Sequence, residues 1–253
     1  MTYQAPNIPS EKHCFFGRQG GVSTGRFDSL NCNIRGSDSM ENIRQNLQII
    51  AEWFHSDISQ MCLINQGVTN HAVYIETPSL YEITADGLVT DKKGLILSIK
   101  TADCCPVLLA DYKNGIIGAA HAGWRGALRG IVENTLKIML DKGAEKQNIS
   151  AALGPCLQQP SFEAGEDMLE EFIRINKNYQ TYFSAGHREN HYQFNLERFV
   201  VDRLREYGIT DISASGIDTY ANEQEYFSFR RETHKAQTFK KGDFPNHLST
   251  ITL

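Results

Sequence analysis

Two short stretches place reactive side chains at the ends of apolar runs. In the first, Leu95–Ile99 leads through Lys100-Thr101-Ala102 to Asp103, Cys104, Cys105 and Pro106. In the second, Ile116–Ala120 leads to His121, followed by Ala122-Gly123-Trp124-Arg125-Gly126. A Cys104 sulfur and a His121 imidazole meeting at neighbouring strand ends would make either half of a zinc site or a nucleophile–base pair. The plainer alternative is that Cys104 and Cys105 are small buried fillers and His121 is a core histidine. Asp103 and Arg125 beside them weigh against that, because buried charges need partners or a function. Arg125 at the start of a helix could hold an anion. Arg230-Arg231 offers two guanidinium groups suited to a phosphate or to a surface carboxylate.

Other features carry less chemistry. His187 and His191 have i, i+4 spacing without the HExxH pattern, which suits a polar loop. Arg18-Gln-Gly-Gly-Val-Ser lacks the Lys-Ser/Thr ending of a triphosphate loop. Gly154-Pro155-Cys156 could bring a second thiol to the site or be ordinary turn chemistry.

Positioning these residues requires buried strands. Met61–Ile64, Ala72–Ile75, Leu95–Ile99, Pro106–Leu109, Ile116–His121 and Ser150–Leu153 have strand length, as do Phe15-Phe16 and Ser213–Ile217. Pro106 is expected to block pairing of the segment it opens. Glu41–Phe54 and Ala127–Leu140 show helical apolar spacing, with Lys142-Gly143 as a stop for the second. Met168–Ile175 and Asn195–Tyr207 are two further helices. The stretch 87–121 reads as hairpins or a meander, and the fold class as α+β.

Composition narrows the function. The 253 residues carry 25 Lys+Arg against 30 Asp+Glu, a net charge of −5, which argues against a nucleic-acid surface. With 41% hydrophobic residues and no Pro/Gly/Ser linker, one domain over 1–253 is the simplest account. No run approaches the roughly 18 apolar residues of a membrane span. The first residues do not look like a secretory leader, and the six cysteines contain no CxxC. A cytoplasmic protein with reduced thiols is expected, a monomer or weak homo-oligomer, with neither nucleic acid nor membrane as partner.

Thr101-Ala-Asp-Cys-Cys-Pro106, Ala120-His-Ala-Gly-Trp-Arg-Gly126, Leu153-Gly-Pro155 with Phe162-Glu-Ala-Gly165, and Phe227-Ser-Phe-Arg-Arg231 resemble successive motifs of the YfiH-like, laccase-domain family. Gly20-Gly-Val-Ser23 and Asp28-Ser-Leu-Asn31 resemble its N-terminal motif, so the likeness runs nearly end to end. Members are also named polyphenol oxidase, purine nucleoside phosphorylase or peptidoglycan editing factor. The resemblance implies a cytoplasmic α/β/β/α sandwich related to certain cysteine hydrolases, with one zinc held by two histidines and a cysteine. It implies phosphorolysis of purine nucleosides, including methylthioadenosine, and deamination of adenosine, with phosphate as co-substrate. By motif match Cys104 and His121 are two of the ligands.

The third ligand departs from the pattern. Where the family has Gln-x-His, this chain reads Gln66-Gly67-Val68, and ungapped counting from Asp86 and Cys104 puts Val68 in the histidine's place. His71, three residues on, is the substitute available if the loop is re-routed. Asn46-Leu47 stands where Asn-Arg is usual, and Ala236 near a common basic residue. Arg125, Arg230 and Arg231 remain to bind phosphate. Asp103, next to Cys104, is the candidate proton carrier, and Glu163 would bind ribose hydroxyls, carry a proton, or be purely structural.

The laccase name implies copper, yet the eight histidines include no His-x-His. A multicopper centre is therefore not expected; a single copper is a lesser alternative to zinc. Three other readings compete with a zinc-dependent phosphorylase: a cysteine hydrolase with Cys104 as nucleophile and His121 as base, a polyphenol oxidoreductase, and a degenerate member that binds without turnover.

Overall fold

The computed structural model describes residues 2–235 and 242–253. Ala236 lies outside the described residues. The strands are β1 (Thr2–Tyr3), β2 (His13–Phe16), β3 (Met61–Asn65), β4 (Ala72–Tyr74), β5 (Ser79–Thr84), β6 (Gly87–Thr90), β7 (Ile96–Thr101), β8 (Cys105–Asp111), β9 (Ile116–Ala122), β10 (Ser150–Leu153), β11 (Glu163–Gly165), β12 (Phe183–Ala185), β13 (His191–Phe194), β14 (Asp211–Ala214) and β15 (His247–Thr252). The helices are α1 (Met40–Trp53), α2 (Trp124–Leu128), α3 (Ile131–Asp141), α4 (Glu166–Ile175), α5 (Leu196–Glu206) and α6 (Phe229–Lys235).

Two six-stranded sheets form the frame, in the orders β1-β2-β15-β7-β3-β5 and β14-β10-β8-β9-β6-β4. Strand alternation explains how they meet. In β7, Leu97 and Ile99 point one way and Ile96 the other, and both directions are buried. Leu97, Ile99, Phe15 and Ile251 of the first sheet pack against Leu88, Leu108, Ile117 and Ala119 of the second. The opposite face of the first sheet buries Ile43, Leu47 and Ile50 of α1, each contributing about 1.5–3 kcal/mol by burial. Ser39 caps that helix, its side chain accepting from the Asn42 amide, a contact of about 1 kcal/mol. The outer face of the second sheet carries α3, α4 and α5 through Ile131, Leu136, Phe172 and Phe199. Gly87 lets α3 sit close, because a Cβ there would lie 2.4 Å from Thr135 Oγ1. With both faces covered, the strands read as continuous apolar runs.

The structure corrects the sequence reading in three places. The stretch 87–121 is not one meander: β8 and β9 form a hairpin, but β7 belongs to the other sheet. Pro106 does not block pairing; it is the second residue of β8, opposite His121, and its carbonyl accepts from Gly154 N. The helix expected over Ala127–Leu140 is two helices, broken at Gly130, whose φ of +88° a residue with a side chain rarely adopts.

Candidate active site

His121 lies near the end of β9, and Cys104 sits in the bend that delivers the chain from β7 into β8. The hairpin register brings them together, since Cys105 pairs with Ala122 and Pro106 with His121. Their common point is Gly123. A Cβ built there would lie 3.1 Å from Cys104 Sγ and 3.8 Å from His121 Nε2. The thiol is partly exposed and the imidazole 7 % exposed, so the sulfur forms the open side of the pair.

Asp86 stands behind the imidazole, and sequence reasoning assigned it no role. It precedes β6, whose pairing with β9 puts it opposite His121, and its carboxylate lies 2.8 Å from His121 Nδ1. The same carboxylate accepts from the amides of Gly67, Val68 and Thr69 and from the Thr69 hydroxyl. Burial opposes a charge on His121, but the facing Cys104 sulfur and the Asp86 carboxylate outweigh it and raise its pKa well above the ordinary value. Burial likewise opposes the Asp86 charge, and its hydrogen bonds with His121 and Thr69 lower its pKa nonetheless. The only sequence signal for Asp86 was its place as a counting anchor.

The turn between β3 and β4 behaves differently. Gln66 caps the end of β3 through its side chain, donating to the Lys100 carbonyl at 2.7 Å and accepting from the Lys100 amide at 2.8 Å. Val68 follows with φ +59°, an uncommon conformation for a β-branched residue, and is 44 % exposed. His71 is exposed, and its carbonyl is taken by the amides of Asp86 and Gly87. The structure does not bring His71 to Cys104 and His121 as a third ligand: among the described residues no three His, Cys, Asp or Glu side chains gather as a metal ion requires.

The remaining candidates divide. Asp103, at φ +87°, is buried, and its carboxylate accepts from Thr219 Oγ1 at 2.7 Å and from the Arg230 amide at 2.6 Å. Burial raises its pKa against those hydrogen bonds. Its partners place it as an anchor for the segment entering α6. Arg230 is half-buried and donates to the Glu163 carbonyl at 2.9 Å. Arg231 is buried, and its guanidinium donates to the carbonyls of Thr219, Tyr220 and Tyr226, which leaves little of it for a ligand. Glu163 turns to Arg188, which forms an ion pair with it at 2.5 Å and lowers its pKa. Arg125 is exposed, its guanidinium 3.9 Å from the Trp124 ring centroid, on a helix of five residues whose dipole adds little. Cys156 does not join the site: it is fully buried against Cys105 in the outer core.

Comparison with known proteins adds a lineage to this geometry. The family described as multi-copper polyphenol oxidoreductase laccase matches residues 12–240. The chain belongs to this laccase family. A purine nucleoside phosphorylase of Rickettsia conorii is 35% identical over 231 residues, 91% of each chain. One of Deinococcus radiodurans is 33% identical over 235 residues, 90% of this chain and 87% of that one. Among solved structures, a Neisseria meningitidis protein superposes with TM-score 0.84 at 27% identity, covering 100% of this chain and 98% of the other. Bacillus licheniformis YfiH gives TM-score 0.86 at 23% identity, over 95% and 92%, a likeness of mixed α/β fold. No helix among the described residues is long and apolar enough to cross a membrane.

The laccase name and the zinc of the resemblance can both be tested on these donors. Cys104 and His121 supply two ligands, Asp86 is already engaged by four residues, and Val68 brings a hydrocarbon. A catalytic zinc takes three protein ligands and a multicopper centre many more. Among the described residues the donors fit neither, and no step is derived through a metal.

Proposed function

We propose that the chain cleaves purine nucleosides with phosphate, releasing the free purine and ribose 1-phosphate, at the site marked by Cys104 and His121. The observation that carries the reading is the Asp86–His121 pair, 2.8 Å apart, whose carboxylate favours an imidazolium beside a partly exposed sulfur. A purine leaves easily only when a ring nitrogen is protonated, and an imidazolium is the side chain suited to giving that proton. Arg125 and Arg230 are the cations with donors left for phosphate, and Asp103 is a positioning residue that fixes where Arg230 begins. The relatives that bear the name purine nucleoside phosphorylase support the same substrate class.

Methylthioadenosine carries the same glycosidic bond and belongs to the same proposal. Adenosine deamination needs a strongly activated water, which a three-ligand zinc would supply; with that ligand set incomplete it is expected to be the weaker activity. The test is chromatographic: inosine or adenosine with purified protein, with and without phosphate. Phosphate-dependent base release that is lost in Cys104→Ala supports the reading, and its absence from the native protein sinks it.

A second reading is favoured by one observation. His121 faces Cys104 on one side and Asp86 on the other, the order of nucleophile, base and orienting acid in cysteine hydrolases. That reading predicts amide cleavage of a peptidoglycan-type substrate without phosphate, and alkylation confined to Cys104 that abolishes it.

A further inference from the structure

Both ring nitrogens of His247 and the hydroxyls of Thr101, Ser249 and Tyr226 have no hydrogen-bond partner among the described residues. Each of these four residues is 2 % exposed or less. Sheet register gathers three of them. His247 and Thr101 are directly opposite partners of β15 and β7, and Ser249 stands two residues along β15, between Ile99 and Phe15. Alternation puts all three on the face that carries Leu97, Ile99 and Ile251, the face packed against the second sheet. Tyr226 arrives from the segment before α6, its ring centroid 5.7 Å from that of His247. Phe227 lies nearly parallel to the imidazole, 16° between planes and 6.3 Å between centroids. Aromatic carbon thus meets the ring, and among the described residues no carbonyl or carboxylate reaches its nitrogens.

The donor set is selective about what could occupy it. Burial and the Arg231 charge lower the His247 pKa to about 3, so the ring is neutral and offers one donor and one acceptor. Each hydroxyl also gives and takes a hydrogen bond. An anion wants donors alone and a metal ion acceptors alone, whereas a neutral set with both suits water. Opposite residues of an antiparallel pair hold their Cβ atoms about 4.5–5.5 Å apart, a spacing that one water between the side chains can bridge. Leaving a buried polar group unpaired costs more than a hydrogen bond ordinarily returns, while a bridging water gives up little beyond its own freedom.

We propose that His247, Thr101, Ser249 and Tyr226 form a buried hydration site between the two sheets, in which at least one ordered water bridges the imidazole edge to the Thr101 hydroxyl. Thr101 lies three residues before Cys104 in the chain, but the site holds whichever reaction is performed there.

A crystal structure of the full chain, at a resolution that shows ordered water, reads the site directly. A peak is expected about 2.7–3.2 Å from both a His247 nitrogen and Thr101 Oγ1. No peak, a direct bond between the two side chains, or a peak with the anomalous signal of a halide overturns the proposal. Oxygen-17 relaxation dispersion of the solvent reads the same site in solution by counting long-lived waters. Thr101→Val removes one partner at nearly constant shape, and His247→Phe fills the space with apolar carbon. Each variant that keeps the native circular dichroism is expected to lose at least one long-lived water relative to the native chain. Dispersion that is unchanged in the folded variants overturns the proposal.

Discussion

Two segments were expected to deliver metal ligands, and they are built on opposite terms. The β8–β9 hairpin presents side chains: its register fixes Cys104 and His121 around Gly123, and neither can move without the pairing of seven residues on each strand. The Gln66–His71 turn presents its backbone: Asp86 holds it by the amides of 67, 68 and 69, and the side chains at 68 and 71 are exposed. The hairpin therefore keeps its chemistry through its hydrogen-bond ladder. The turn keeps its shape whatever side chain stands at 68, which is how a valine can occupy the position expected of a ligand.

Breaking the hairpin's pair should have the largest effect. Cys104→Ala and His121→Ala are each expected to lower kcat/KM for phosphorolysis by roughly a thousandfold, with Cys104→Ala retaining the native circular dichroism. Asp86→Asn comes next. It keeps the shape but removes the charge behind His121, so roughly a hundredfold loss in kcat and about 2–3 kcal/mol of stability are expected, read by kinetics and by denaturant midpoint.

On the turn side, Val68→His tests whether only the side chain is missing. Elemental analysis is expected to give about one zinc per chain in the variant and far less in the native protein. Stoichiometric zinc in the native protein would show that the turn or a residue beyond those described supplies the donor after all. Smaller still, Arg125→Ala is expected to raise the KM for phosphate by roughly three- to tenfold without a change in Tm, whereas Arg231→Ala, which strands three carbonyls, lowers Tm and leaves that KM alone.

A pH profile gives the mildest comparison, because it acts on the frame. His247 is 2 % exposed, and burial and the nearby Arg231 lower its pKa from 6.5 to about 3. The unfolded chain therefore binds a proton that the folded chain refuses. Stability is unaffected by this group above pH 6.5 and falls between 6.5 and 3, by at most about 1.4 kcal/mol per pH unit. Replacing His247 by Gln should flatten that slope in acid denaturation; an unchanged slope would assign it to other groups.

The legible parts of the fold were those where local pattern and tertiary burial agree. Strands β3, β7, β8, β9 and β10 and helices α1, α4 and α5 follow from apolar runs and 3.6-residue spacing. β5, with Tyr81 at φ +65° and only Ser79 buried, carries no such pattern, and neither does β15, whose Ser, Thr and His residues are buried by sheet neighbours distant in sequence. The convergence of Cys104 and His121 was readable because both end buried strands. Asp86 was not, since its partners lie 17 to 35 positions away and only sheet register reveals them. Neither were the engagements of Arg231 and Glu163, which depend on carbonyls and loops that no motif encodes.

The side-chain amide of Gln66 stands in for a missing peptide unit beside Lys100. One residue thereby finishes the ladder, while the positions after it are tied elsewhere: the amides of 67, 68 and 69 hold Asp86, and Asn70 Nδ2 donates to the Arg129 carbonyl. Val68, with its side chain exposed, is then a place where this chain can exchange one residue for another at little cost to the architecture.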